Sequence, residues 1–293
     1  MKYYCLDMLK KHYLLRIIST ELNLIAKNAQ EDCHKKMKRD SLFKRKRTYL
    51  ASMVVPFILL IIAVNISPAH ASTKAPNVVV LTSKEYNVNE ERYNAHIKVP
   101  QIVGLENKAL EESLNEKYLA ESKKLYEDFM SEMEEMKKIG AGHLSVDSGF
   151  LIKTDTNRLL SIGRYVTIAK GSSSNTVSYD TIDKIDGVLI TLPSLFKDER
   201  YVDIISENIK EQMIEKMNAD ENLIYWVDNS ENNSTIQPFE KISPNQNFYI
   251  NEKGKLVISF NKYEVAPGFM GIQEFEIPTE VISDILVSNQ YIK

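Results

Sequence analysis

From Thr48 to Thr73 the chain carries no Asp, Glu, Lys or Arg, and this gap constrains the molecule more than any other feature. Within it, Tyr49 to Ile66 is apolar except for Ser52 and Asn65. Eighteen helical residues rise ~27 Å, close to the hydrocarbon thickness of a bilayer. Directly before the run stand Lys44, Arg45, Lys46 and Arg47. A cation cluster on that flank stays on the cytoplasmic side, so the chain is expected to cross outward once, with its N-terminus inside. A buried core helix is the alternative, and it does not explain four adjacent cations beside so long an uncharged stretch.

Charge divides at the same place. Residues 1–47 hold thirteen Lys/Arg against five Asp/Glu, whereas residues 48–293 hold twenty-four against thirty-five. The net charge of −3 therefore averages a basic inner segment and an acidic outer portion. A strongly acidic outer domain suits a cationic ligand.

Just beyond the apolar run, Ala69 and Ala71 form the small-x-small pattern of a signal-peptidase site, with cleavage expected between Ala71 and Ser72. Pro68 disfavours helix in the residue before it and leaves the chain extended for cutting. A simple export signal has a shorter apolar core and lacks the forty-odd residues that precede the cations here, so the pattern fits an anchor cut on demand. Pro56 removes one backbone donor inside the span and loosens the helix there. That loosening admits two readings, a tolerated kink or an aid to intramembrane cleavage.

Both cysteines, Cys5 and Cys33, lie in the inner segment, so no disulfide is expected outside the membrane. Cys5, His12, Cys33 and His34 match no standard zinc spacing, and neither metal nor cofactor is expected. The H-E-x-x-H, G-x-S-x-G, Walker and dinucleotide-binding patterns are all missing from the sequence, which gives no positive sign of catalysis. In the inner segment, Met8, Leu9, Leu14, Leu15, Ile17, Ile18, Leu22, Leu24 and Ile25 recur at helical spacing among Lys10, Lys11, Arg16 and Lys27. So short a segment cannot bury that face alone. It lies on anionic lipid or docks in the groove of a cytoplasmic protein.

The outer portion reads as α+β. After a linker over residues 67–77, strands are expected at Val78–Val80 and Tyr86–Val99, then a long helix over Gly104–Lys138 ended by Gly140 and Gly142. Further strands are expected at Phe150–Thr154, Leu159–Ile168, Thr176–Ile182 and Val188–Leu192. Thr156-Asn157 and Asp186-Gly187 mark turns that want positive φ. A shorter helix follows at Arg200–Asn218, then a hairpin of Phe248–Ile250 with Leu256–Phe260, the stretches Tyr263–Phe269 and Phe275–Pro278, and a closing helix near Thr279–Leu286. The expected whole is a short helical cytoplasmic segment (1–47), one transmembrane helix (48–66) and an extracellular α+β domain of antiparallel sheets with one long and one shorter helix. That domain divides into parts at 78–187 and 188–293.

Ile190-Thr-Leu-Pro-Ser-Leu-Phe-Lys197, Asn247-Phe-Tyr-Ile250, Leu256-Val-Ile-Ser-Phe260, Lys262-Tyr-Glu-Val-Ala-Pro267 and Phe275-Glu-Ile-Pro278 resemble, in order, the C-terminal domain of RsiV-like anti-sigma factors. That domain also accompanies the PdaC-type peptidoglycan deacetylases. Met8-Leu-Lys-Lys-His-Tyr13 and Glu21-Leu22 are similar to the family's inner anti-sigma region. The resemblance implies a cell-membrane, non-enzymatic regulator that holds an extracytoplasmic-function sigma factor through Leu14, Ile18, Leu22 and Ile25, with no direct nucleic-acid contact. It implies that the outer domain receives lysozyme, after which signal peptidase and an intramembrane protease release the sigma factor. Lysozyme contacts are then expected on the loop Gly171, Ser172, Ser173 and Ser174 and on Tyr263, Glu264, Pro267 and Phe269. The family's Gly-Gly-x-His-Gly turn is replaced here by Ala169-Lys-Gly-Ser-Ser-Ser174. The competing reading is a membrane-bound or shed cell-wall-binding or lysozyme-inhibiting domain without a sigma partner.

Overall fold

A computed structural model of the chain describes residues 77–140, 142–227 and 237–293. The inner segment, the apolar span and the Ala69/Ala71 motif lie outside the described residues. Among the described residues, no helix is long and apolar enough to cross a membrane.

The first strand, β1 (Val79–Asn89), pairs antiparallel with β2 (Tyr93–Val103), and the chain then enters helix α1 (Lys108–Lys138). Four strands follow: β3 (Leu144–Asp155), β4 (Leu159–Lys170), β5 (Ser172–Asp183) and the short β6 (Val188–Ile190). They complete a six-stranded sheet in sequential order. Every pairing in it is antiparallel except one, because α1 carries the chain back across the sheet so that β3 lies parallel to β2 over Tyr93–Ile97 and Leu144–Ser148. The expectation of wholly antiparallel sheets is corrected at that pair.

Helix α1 starts at Lys108 rather than at Gly104. Gly104 stands at φ +104°, and a Cβ there would lie 2.3 Å from the Asn77 carbonyl oxygen, so glycine serves a close turn that no helix can include. Asn107 caps the helix, its Oδ1 accepting from Leu110 N at 3.2 Å. Glu111 then reaches back to accept from Gly104 N and Leu105 N at 2.8 and 2.7 Å. The apolar stripe of α1, Leu114, Tyr118, Phe129, Met133 and Met136, is buried against Tyr93, Ala95 and Ile97 of β2, Leu144 and Val146 of β3 and Leu160 and Ile162 of β4. Period-3.6 spacing and period-2 alternation thus meet in one layer of core.

Beyond β6 come a 3₁₀ turn at Pro193–Leu195 and helix α2 (Arg200–Ala219). A second, antiparallel sheet follows, built of β7 (Phe248–Ile250), β8 (Leu256–Phe260) and β9 (Gln273–Ile277). The closing helix of the sequence reading divides into α3 (Thr279–Ile282) and a 3₁₀ turn at Ser283–Ile285. Tyr201, Ile205, Ile209 and Met213 of α2 pack with Ile258, Phe260, Phe275 and Ile277 of the small sheet to form the largest core.

Polar side chains fasten one sheet to the other. The Asn247 amide donates to Val177 O and accepts from Tyr179 N, each at 2.9 Å, and Asn261 Oδ1 accepts from Val177 N at 2.7 Å. Two side chains thus complete the ladder along the edge of β5 that β6 leaves uncovered, which protects it from pairing with another chain. Thr154 Oγ1 and Ser161 Oγ both donate to Ile250 O, at 2.6 and 3.3 Å. One turn differs from the reading above. Asn157 is not left-handed, since Tyr263 is the one non-glycine with positive φ among the described residues. The Thr156 hydroxyl closes that turn instead, accepting from Leu159 N at 2.9 Å.

Candidate functional site

Two separated pieces of sequence meet where Lys262 Nζ donates to Ser173 O. The first is the tip of the β4–β5 hairpin. Gly171 stands there at φ +72°, while Ser172, Ser173 and Ser174 pair with Lys170, Ala169 and Ile168. The expected four-residue loop is therefore a one-residue turn with three strand residues after it. All four side-chain positions are exposed.

The second piece is the connection from β8 to β9. Asn261 and Glu264 close its first turn, with Asn261 N donating to Glu264 Oε2 at 3.0 Å and Glu264 N to Asn261 O at 3.1 Å. Val265 and Ala266 are buried, anchoring the middle of the connection in the core. The backbone then turns through Pro267 and a single 3₁₀ turn at Gly268–Met270. Between these anchors, Tyr263 is 61% and Phe269 73% exposed. Core packing, the ordinary fate of such aromatics, does not account for either.

The connection is held in shape. Tyr263 adopts φ +72°, a conformation that costs a non-glycine residue ~1–3 kcal/mol and persists where the surroundings impose it. Its ring lies against Gly268, where a Cβ would stand 2.2 Å from Cζ. Lys262 joins the two pieces, its Nζ donating to Ser173 O and lying 5.1 Å from the Tyr263 ring centroid. The result is a rigid surface with two exposed aromatics flanked by serines.

Of the residues singled out in the sequence, Gly171 to Ser174 and Tyr263, Glu264, Pro267 and Phe269 fall on these two pieces. Leu14, Ile18, Leu22, Ile25, Lys44, Arg45, Lys46, Arg47, Pro56, Ala69, Ala71 and Ser72 lie outside the described residues. Sequence reasoning missed Lys262 and the two edge-capping asparagines, because nothing in a single chain tells which loops will face each other.

Behind this surface a polar knot ties the sheets. Glu274 of β9 accepts from Tyr179 Oη at 2.7 Å, Tyr249 Oη at 3.0 Å and Lys153 Nζ at 2.9 Å. Burial pushes the Glu274 carboxyl up, but these three donors outweigh it and hold the group below the ordinary glutamate value. Burial and the facing carboxylate push both phenols up. The knot is therefore a carboxylate that favours its ionised form between Lys153 and two phenols that favour their neutral form. It ties β3, β5, β7 and β9 together through one carboxylate. Among the described residues no three His, Cys, Asp or Glu side chains gather to hold a metal.

Comparison with known proteins places this architecture. A sequence family described as a protein of unknown function, DUF3298, matches residues 193–280, the stretch from the 3₁₀ turn before α2 to the start of α3. The crystal structure of a DUF3298-family protein from Bacteroides fragilis is similar in fold, with a TM-score of 0.53 at 19% identity over 74% of this chain and 96% of that one. One from Pseudomonas aeruginosa gives a TM-score of 0.51 at 12% identity over 74% and 97%. At such identities the likeness concerns the fold alone. The anti-sigma-V factor RsiV of Bacillus subtilis is 43% identical over 98% of this chain and 99% of its own length. An identity of that size, held from end to end, shows that this chain belongs to the family of the anti-sigma-V factor RsiV.

Proposed function

We propose that this chain is a single-pass membrane anti-sigma factor that sequesters an extracytoplasmic-function sigma factor with residues 1–47 and senses lysozyme with the domain beyond the membrane. The observation that carries this reading is the extent of the likeness to anti-sigma-V factor RsiV. It covers 98% of the chain, so it takes in the inner amphipathic segment and the apolar span as well as the described domain. The role is regulatory rather than enzymatic. Leu14, Ile18, Leu22 and Ile25 supply the apolar face that grips the sigma factor, and Lys44 to Arg47 fix the orientation of the anchor. Lysozyme meets the surface built from the β4–β5 tip and the β8–β9 connection. Signal peptidase then cuts after Ala71, an intramembrane protease cuts within the span near Pro56, and the sigma factor is freed.

The physics of the surface supports the reading. Exposed Phe269 and Tyr263 offer apolar area worth ~1.5–3 kcal/mol each when buried by a partner. Their support is already ordered, so little entropy remains to be lost on binding. The acidic balance of residues 48–293 steers a cationic protein toward the domain. The full chain in detergent is titrated with lysozyme at low and high salt, and binding is expected to persist when exposed charges are screened over ~10 Å at 0.1 M. No binding at either salt would remove lysozyme as the ligand. In parallel, failure of any sigma factor to co-purify with the full chain from its own cells would favour the cell-wall-binding reading.

A further inference from the structure

Strand β1 is an edge strand that pairs with β2 alone, and a bulge at Ser83, between Thr82 and Lys84, divides it. The two halves belong to different cores. Beyond the bulge, Tyr86 and Val88 pack with Ile97, Phe129 and Met133, and Tyr86 stacks on Tyr126 of α1 with ring centroids 4.9 Å apart. Of residues 78–82, Val78 and Val80 are those that reach the cluster of Ile102, Leu105 and Leu114. Val79, Leu81 and Thr82 are exposed.

The backbone of this first half is lightly held as well. Asn115 takes both backbone groups of Ile102, which turns them away from β1. By antiparallel alternation the ladder to this half therefore runs through Val79 opposite Val103 and Leu81 opposite Gln101, and the bulge interrupts it next. Its start is seated against a glycine, since a Cβ on Gly104 would lie 2.3 Å from Asn77 O and 3.3 Å from Val78 Cα. Little buried apolar surface, an open backbone edge and a break in the ladder mark a segment that opens below the stability of the whole.

We infer that residues 78–82 form a strap that opens as a unit at the Ser83 bulge while the rest of the sheet stays folded, and that its opening governs cutting after Ala71. This rests on the cleavage reading proposed above. With the strap closed, six residues (72–77) separate the cut bond from the folded domain, and with it open, eleven (72–82) do. At ~3.3–3.6 Å per residue the free chain lengthens by ~16–18 Å, which gives room to a protease that grips an extended segment on both sides of the bond. Val79 and Leu81 lose little on opening because both already face water, so Val78 and Val80 are the side chains that leave the core. The lysozyme surface is remote in register. Ala169, beside the β4–β5 tip, stands opposite Ser145, and Leu144 opposite Tyr93, where β2 begins, whereas Val79 stands opposite Val103, where β2 ends. Changes at the strap leave that surface intact.

Leu81→Cys combined with Gln101→Cys staples the strap, because antiparallel partners stand ~4.5–5.5 Å apart at Cα, within disulfide reach. The full chain in liposomes is given signal peptidase and saturating lysozyme. The stapled chain is expected to be cut after Ala71 at least tenfold more slowly than either single-cysteine variant while binding lysozyme equally. Gly104→Ala, whose methyl displaces Asn77, is expected to speed the cut at least fivefold without lysozyme. In the parent chain, hydrogen exchange read by mass spectrometry is expected to be at least tenfold faster over residues 79–82 than over residues 84–89. The staple and the exchange measurement carry the test if Gly104→Ala fails to fold. A stapled chain cut at the single-variant rate, unchanged cutting in a folded Gly104→Ala, or equal exchange in the two halves of β1 overturns the inference and leaves the cleavage reading standing. Single-cysteine variants left uncut after Ala71 overturn the cleavage reading and the strap's role in it together.

Discussion

Asp183 lies wholly out of solvent at the end of β5, yet it remains ionised because four donors converge on it. Ile185 N and Asp186 N reach it at 2.8 and 2.9 Å, Tyr291 Oη at 2.9 Å and Arg158 Nε at 2.7 Å. Burial alone would push its carboxyl up; the two amides, the phenol and the guanidinium together hold it below the ordinary aspartate value. Glu274 is lowered in the same way by Lys153 and the phenols of Tyr179 and Tyr249, against burial. A carboxylate with a depressed folded pKa is protonated first in the unfolded chain as pH falls. Its contribution is therefore complete above the unfolded value of about 4 and is lost as pH drops through that value toward the folded one. The urea midpoint of the chain is expected to fall between pH 5 and pH 3, and Asp183→Asn to flatten that fall while lowering the midpoint at pH 7. An acid limb unchanged in Asp183→Asn would show that Asp183 does not drive it. Phe269 illustrates the opposite kind of residue. It is 73% exposed, so Phe269→Ala is expected to leave thermal unfolding unchanged and to weaken lysozyme binding at least tenfold, about 1.4 kcal/mol. Equal lysozyme affinity in calorimetry would take Phe269 out of the interface.

Helix α1 is fastened to the sheet by more than its apolar stripe. Asn115 donates from Nδ2 to Ile102 O and accepts at Oδ1 from Ile102 N, both at 2.8 Å, so one side chain takes the place of a neighbouring strand at the C-terminal end of β2. This matters because β2 has already lost β3 as a partner there. Asn115→Ala is expected to cost about 2 kcal/mol by leaving both Ile102 backbone groups unpaired, read as a lower urea midpoint with unchanged slope. A loss below ~0.5 kcal/mol would mean that water replaces the amide without penalty. Sequence periodicity located α1 and α2 because each buries one face and exposes the other, whereas the β7–β8 hairpin, buried throughout, was legible as two apolar runs around the turn at Asn251–Gly254. Periodicity stopped β1 at Val80 and ran Tyr86–Asn89, the end of β1, into β2 across the turn that Glu90 N closes on Tyr93 O, and it began β3 late, at Phe150. The middle of β1, Thr82-Ser83-Lys84-Glu85, is polar because this is an edge strand. The start of β3 hides its alternation behind Ser145, Asp147, Ser148 and Gly149. The parallel β2–β3 pair had no local signal, since it depends on where a thirty-one-residue helix returns the chain.

At the scale of the whole chain, the sequence is most legible where physics is one-dimensional. A cation cluster, a charge-free stretch and a pair of small residues can be read in order along the chain, whereas a surface such as that of Ser173, Lys262 and Tyr263 exists only after the 88 residues between Ser173 and Lys262 have folded. The proposed signalling step joins the two, because an event on the folded domain must alter cutting at a linear motif. Signal peptidase accepts only small side chains at the two alanine positions, so Ala71→Trp is expected to block cleavage while leaving the folded domain, which begins at β1, untouched. Cells carrying that variant are then expected to bind lysozyme as the parent does, retain the full-length chain on immunoblots and fail to release the sigma factor. Phe269→Ala cells are expected to show the complementary phenotype, with an intact motif and cleavage that rises only at higher lysozyme concentration. Normal release in Ala71→Trp would place the cut elsewhere. Normal lysozyme sensitivity in Phe269→Ala, with the chain still cut after Ala71, would keep the proteolytic route and move the sensing surface away from the β8–β9 connection.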